Sequence, residues 1–331
     1  MQVTERQDLA TYDVVVVGGG AAGLSGALTL GRARRSVLVI DGGEPRNAPA
    51  AAVHGFLSRD GIRPTELLEI GRAEIRGYGA QIRAGQVASA GRTDDGFVVT
   101  LDDGSSVSAR RLLVATGLVD GLPDVAGVRE RWGRDVLHCP YCHGWEVRDR
   151  PIGILASDPW GVHQALLFRQ WTADLTLFLH TEPRPTDEET EQLAARGIRV
   201  VEGEVASLEI VDDHLAGVRL SSGEVVSLRA LAVTPRLVAR AGMLAGLGLG
   251  ATDHPLGVGE HIEADGMGLT AVPGVWVAGN AADLMAQVVG AADAGVRAAA
   301  AINADLIAED TRHAVAAHRD RLLTSVAGAQ S

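Results

Sequence analysis

Four consecutive valines, Val14 to Val17, follow a polar N-terminal stretch. A continuous apolar run of this kind suits a strand buried on both faces, as in a parallel sheet. Glycines follow at positions 18, 20 and 23, and the residues from Ala21 to Arg32 suit a helix. Ser36 to Ile40 predict a second buried strand, which ends in Asp41. Beyond Arg72 the pattern changes. The segment "AQIRAGQVASAGRTDDGFVVTLDDGSSVSARRLLVATG" alternates, and "TDDG" and "LDDGS" are hairpin signals. It predicts a small antiparallel meander leading into an apolar strand, Arg111 to Ala115, and then Thr116 and Gly117.

A second α/β unit follows. "PIGILAS" predicts a short buried strand, "GVHQALLFRQW" a helix, and "DLTLFLH" the next strand. "RVVEGEVASLEIVDDHLAGVRLSSGEVVSL" predicts more meander, and near Val233 the chain leaves this unit. From Gly274, "GVWVAGN" predicts a strand and a turn at Gly279 and Asn280, then a long alanine-rich helix suited to close packing on the first unit. The expected fold class is α/β, with two Rossmann-like dinucleotide-binding domains, the second inserted into the first. Residues 1–118 and 240–331 would form the split first domain, and 119–239 the insert.

Composition narrows the chemistry. Net charge is −12, which argues against nucleic acid and anionic membrane as partners. No apolar run is long enough to span a bilayer, and "MQVTERQDLATYD" is not a signal peptide. A soluble cytoplasmic protein is expected. The chain contains no lysine, which excludes Schiff-base and Walker-lysine chemistry.

Two constellations carry the remaining chemistry. Gly18 permits a tight strand-to-helix turn, Gly20 lets backbone approach a pyrophosphate, and Gly23 lets the helix pack on the strand. The helix N-terminus offers N–H groups to phosphate, and Asp41 can accept from ribose hydroxyls. The only cysteines, Cys139 and Cys142, lie in "HCPYCHGWEV". Cys-x-x-Cys-His reads as a haem attachment, as part of a zinc site completed by His138 and His143, or as a redox dithiol. In a reducing compartment a catalytic or redox pair is favoured over a structural disulfide.

In order along the chain, the glycine fingerprint with Asp41, "LLVATG", Cys-x-x-Cys and "GVWVAGNAAD" resemble the low-molecular-weight thioredoxin reductase family of flavoproteins. The resemblance implies FAD, a redox-active dithiol in the inserted domain and a homodimer. It assigns Gly18, Gly20, Ala21, Ala22, Gly23 and Asp41 to the FAD pyrophosphate and ribose. It adds Val87, Ala115, Thr116 and Gly117 to the FAD site, puts Gly279 and Asn280 by the ribityl chain, and has Gln287 and Val288 begin the helix facing the flavin. Asn280 stands where the family usually has aspartate. Cys142 would lie nearer the flavin, and Cys139 would be the outer, exchanging thiol. His143, where the family usually has aspartate, is the first candidate proton acceptor, and His138 the second. Tyr141, Trp145 and Trp171 are candidate apolar walls of a substrate cleft. No metal is expected.

The second unit departs from that family. After "PIGILAS" the chain reads "DPWGVHQALL", with Asp158, Pro159 and Trp160 where a glycine turn should meet NADPH. Downstream, "TEPRPTDEET" is mainly acidic where arginines would bind a 2′-phosphate. "CPYCHGWE" with a lost NADPH site resembles the dithiol oxidases of the gliotoxin and holomycin type. That implies a small-molecule dithiol as substrate, O2 as acceptor and H2O2 as product. The alternatives are a thioredoxin reductase using NADPH at a divergent site or ferredoxin, and a non-catalytic flavin-binding redox sensor.

Overall fold

The structure is a computed structural model that describes residues 9–157 and 160–328. Strand β1 (Thr11–Val17) pairs in parallel with β2 (Val37–Asp41), and helix α1 (Ala21–Arg32) crosses between them. Val14, Val15 and Val16 are fully buried, as their unbroken apolar run requires. Helix α2 (Pro64–Gly77) leads to β3 (Gln81–Ala84), which pairs in parallel with β2. The meander expected from Ala80 onward therefore starts later. A helix precedes β3, and a strand–helix–strand crossover makes the strands parallel. Strands β4 (Val87–Thr93), β5 (Gly96–Leu101) and β6 (Ser106–Val114) are antiparallel, and β6 also pairs in parallel with β1.

The chain leaves this sheet through β7 (Leu118–Gly121), α3 (Val128–Arg131), β8 (Val136–Leu137) and the single turn α4 (Pro140–His143). Then come β9 (Ile152–Leu155), α5 (Gly161–Phe168), β10 (Leu175–Phe178), α6 (Asp187–Ala195) and β11 (Arg199–Val201). Strands β12 (Val205–Val211), β13 (His214–Leu220) and β14 (Val225–Ser227) form an antiparallel sheet. Strand β15 (Ala230–Val233) completes a parallel sheet in the order β11-β10-β9-β15-β8. Arg199–Val201 is thus a parallel edge strand, not the first strand of the second meander. Arg131, almost fully buried, ties this lobe together by pairing with Asp135 and Asp213. Removing Arg131 would leave Asp135 without its counter-ion, at a cost of about 3–5 kcal/mol.

Strand β16 (Arg236–Ala239) pairs antiparallel with β7, so the two crossings between lobes run side by side. Short strands β17 (Thr252–Asp253) and β18 (Gly259–His261) extend that ribbon. Strand β19 (Val275–Val277) then joins the first sheet in parallel beside β6. Helix α7 (Val288–Gly328) packs on α1 at Gly295, where an added Cβ would lie 2.0 Å from the Ala22 carbonyl oxygen. Only glycine allows that approach, and overpacking typically costs about 1–3 kcal/mol.

Candidate active site

The turn from β1 to α1 is a backbone cradle. Gly18 has φ +107°, and a Cβ on it would lie 2.3 Å from the Ala115 carbonyl oxygen. Gly20 is the N-cap of α1, without a side-chain cap, and a Cβ there would meet nothing within 4 Å. The first-turn N–H groups of α1 are therefore open to an anion, and the helix dipole favours one. At the end of β2, Asp41 Oδ1 accepts from the N–H groups of Gly19 (3.2 Å) and Gly43 (3.3 Å). Its Oδ2 is 2.8 Å from Arg72 on α2. A cavity of about 860 Å³ opens over this cradle. Open N–H groups beside a carboxylate fit the pyrophosphate and ribose of a dinucleotide, and the volume fits a cofactor.

The same cavity reaches Cys139 and Cys142. Both are thiols in this structure. Cys139 is the N-cap of α4 and Pro140 its first residue, so the pair is presented on one tight turn. Gly144 closes the turn. A Cβ there would lie 2.5 Å from the Pro140 carbonyl oxygen and 2.9 Å from the Trp171 ring. The Cys142 S–H and the N–H groups of Cys142 and Tyr141 lower the Cys139 thiol to about 7, and the nearby Arg46 charge helps. Cys142, whose proton is held by Cys139, is pushed up. Thiolate character at neutral pH therefore sits on Cys139.

The flanking histidines differ. His138 Nδ1 donates to the Val233 carbonyl (3.2 Å), so Nε2 is its acceptor atom. Gln164 Nε2 donates to the His138 carbonyl at 3.2 Å, and Gln164 Oε1 accepts from the Thr234 hydroxyl at 3.3 Å. His143 has both ring nitrogens buried with no hydrogen-bond partner in the protein. Burial lowers both imidazoles. Both histidines line the cavity, and a neutral imidazole with an unused acceptor nitrogen is suited to take a thiol proton.

Gly18, Gly20, Ala21, Ala22, Asp41, Val87, Ala115, Thr116, Gly117, Gly279, Asn280, Gln287, Val288, His138, Cys139, Cys142 and His143 all line this cavity. Gly23 does not. It lies beneath the turn, where a Cβ would be 1.9 Å from the Gly18 carbonyl oxygen, so its role is packing. Asn280 does not simply face outward, because its Nδ2 donates to the carbonyls of Asp283 (3.0 Å) and Ala286 (2.9 Å). Of the expected aromatic walls only Tyr141 lines the cavity. Trp145 points outward under Arg148, and Trp171 packs edge-on against Tyr141 at 5.7 Å. Trp132 and Trp160 are the other aromatic lining residues. Asp158 and Pro159, expected to obstruct NADPH, lie outside the described residues. Arg46, His54 and Gln164 also line the cavity, and no sequence motif marks them. Among the described residues no three His, Cys, Asp or Glu side chains are grouped to hold a metal ion.

The profile of the pyridine nucleotide-disulphide oxidoreductases matches residues 12–295. The chain belongs to this family. It is 32% identical over 318 residues to thioredoxin reductase sirT of Leptosphaeria maculans, covering 90% of this chain and 95% of that one. It is 37% identical over 167 residues to thioredoxin reductase tcpT of Claviceps purpurea, covering 49% and 52%. Among solved structures, HlmI superposes with a TM-score of 0.86 at 50% identity, covering 92% of this chain and 95% of that one. An oxidoreductase from Agrobacterium tumefaciens gives 0.84 at 36%, covering 90% and 99%. The protein is a thioredoxin reductase-like disulfide oxidoreductase, and its cofactor is FAD.

Proposed function

We propose that the protein is a dithiol oxidase that closes a disulfide in a small molecule and passes the electrons to O2. The observation that carries this reading is the shared cavity, with the Cys139–Cys142 turn opening directly onto the FAD cradle. The two lobes are also tied there. Arg46, from the loop after β2, makes two bonds to Asp120 on β7, one of 2.8 Å. Pro49 of that loop packs against Gly133. An enzyme that takes electrons through the dithiol has no need to rotate its lobes to admit a nicotinamide. The acidic first turn of α6, Asp187 to Glu189, is a poor place for a 2′-phosphate, and Arg184 is already paired with Glu202.

In this reading the resting enzyme carries a Cys139–Cys142 disulfide. His143 takes a proton from the first substrate thiol. The thiolate attacks Cys139 Sγ, the Cys139–Cys142 bond breaks, and Cys142 leaves as thiolate beside the cradle. The second substrate thiolate then attacks the substrate sulfur of the mixed disulfide and releases Cys139. The Gly18–Ala22 turn and Asp41 would hold FAD, which would supply a two-electron acceptor for the Cys139–Cys142 dithiol, with O2 as the final acceptor and H2O2 as the product. His138 and Gln164 keep the turn in register. In the same reading the enzyme is a cytoplasmic homodimer. Among the described residues no helix is long and apolar enough to cross a membrane.

The relatives named thioredoxin reductase favour a second reading, reduction of thioredoxin; its electrons would come from NADPH at a divergent site or from ferredoxin. Oxygen uptake separates the two. A panel of small dithiols and reduced thioredoxin, at matched thiol concentration, should give fast uptake only with the small dithiols. Rapid oxidation of thioredoxin without small-dithiol activity would return the enzyme to the thioredoxin-linked class.

A further inference from the structure

His54 has no role in the mechanism above, yet it lines the same cavity as His143. It stands on the loop between β2 and α2, which is pinned by backbone bonds between Val53 and Ile62 (2.8 Å) and between Gly61 and Val53 (2.9 Å). Its Nε2 lies 3.5 Å from Glu146 Oε1, and its Nδ1 lies 3.4 Å from Asp60 Oδ2. The other oxygen of Asp60 accepts the Gly55 N–H at 2.9 Å, which fixes the carboxylate. His54 is mostly buried, whereas Asp60 and Glu146 are open to solvent. Glu146 shares a turn with His143, since its N–H bonds to the His143 carbonyl at 3.2 Å.

We propose that His54, held between Asp60 and Glu146, is a positioning residue for His143. With Glu146 it sets whether His143 is charged. The inference rests on the reading of His143 as the acceptor of thiol protons. Each substrate thiol that enters a disulfide loses one proton, its S–H electron pair stays on sulfur, and the proton must leave a half-buried site. With no hydrogen bond to its ring, His143 takes up and gives up that proton at a point set by the charges around it. The charged groups that act on His143 are Glu146 on its own segment and His54 on the loop between β2 and α2. Glu146 favours charge on His143 and His54 opposes it.

The experiment follows exchange alone. The oxidised, FAD-loaded enzyme is mixed anaerobically with dithiothreitol across pH, and opening of the Cys139–Cys142 disulfide is followed by acid quench and mass spectrometry. Glu146→Gln should move the acid limb of the rate profile to lower pH. His54→Gln should move it to higher pH. Shifts in the same direction would overturn the proposal. If His54→Gln does not fold, Glu146→Gln decides alone, and an unmoved limb overturns it. Oxygen uptake by the wild-type enzyme tests the oxidase reading separately, because exchange with dithiothreitol requires no oxygen.

Discussion

The crossovers β1–α1–β2 and β9–α5–β10 are built alike and finish differently. Both place a helix between two parallel strands, Val14 opposite Val37 in one and Ile152 opposite Leu175 in the other. Both keep a glycine where helix meets strand. Gly23 lies under the first turn, and Gly161 lies where a Cβ would be 2.6 Å from the Ala156 Cβ. The first turn continues with Gly18 and Gly20, and its second strand ends in Asp41. The second turn reaches its helix through Trp160 as N-cap, and its second strand leads toward the acidic start of α6. The glycine needed for packing is present in both, and the glycines needed for a pyrophosphate are present in one. The scaffold and the site are thus separable features of the same crossover.

The sharpest way to break the comparison is to give the first turn a side chain like the second. Gly20→Val should fold, since a Cβ there meets nothing, but it should fill the phosphate cradle. The purified protein should be colourless, with flavin occupancy down at least about tenfold and all flavin-dependent turnover lost. Absorbance at the flavin band against protein, with a thermal melt as the folding control, checks this. Full occupancy would sink the assignment of the cradle.

Next in size is the dithiol. Cys139→Ser and Cys142→Ser should each lower turnover by about three orders of magnitude, because exchange needs both sulfurs. In the reduced enzyme, alkylation of Cys139 by iodoacetamide should titrate near 7. The rate should fall about tenfold per pH unit below that point and level off above it, since only the thiolate reacts. Cys142 should stay unreactive across the same range. Reversal of the two would exchange their roles.

A third test addresses the second crossover directly. Under anaerobic conditions excess NADPH should leave the flavin oxidised, while a dithiol should bleach it and air restore it. Bleaching by NADPH at a comparable rate would show that Trp160 and the acidic start of α6 still admit a nicotinamide.

The cradle was readable because glycine does work there that no other residue can. Gly18 adopts φ +107°, and backbone oxygens crowd both Gly18 and Gly23. The strand and helix of that unit followed from unbroken apolar runs. Helix α2 gave no such signal, because it buries only Pro64, Leu68 and Ile75 and its apolar stripe is thin. Strands β3 and β11 read from sequence as meander strands because three or four alternating residues do not reveal the partner; the preceding helix decides it. Arg46, His54 and Trp132 reach the site from irregular segments, where no period points a side chain inward. Trp145 and Trp171 show the converse, since aromatic identity near the cysteines did not give direction.

The smallest expected effect concerns Asn280, which lines the cavity beside the cradle. Its Nδ2 donates to the carbonyls of Asp283 and Ala286, with Leu284 at 3.4 Å, and so draws in the loop that precedes α7. An aspartate at this position would turn a carboxylate oxygen toward those carbonyls, and no donor would remain. Leaving such groups unsatisfied costs about 1–3 kcal/mol. Asn280→Asp should therefore lower the melting temperature by a few degrees while the protein stays yellow. The loss should shrink at acid pH. A carboxyl facing carbonyl oxygens is more easily protonated folded than unfolded, and once protonated it can donate again. A melting temperature unchanged from the parent at neutral pH would mean that the loop is held by its backbone alone.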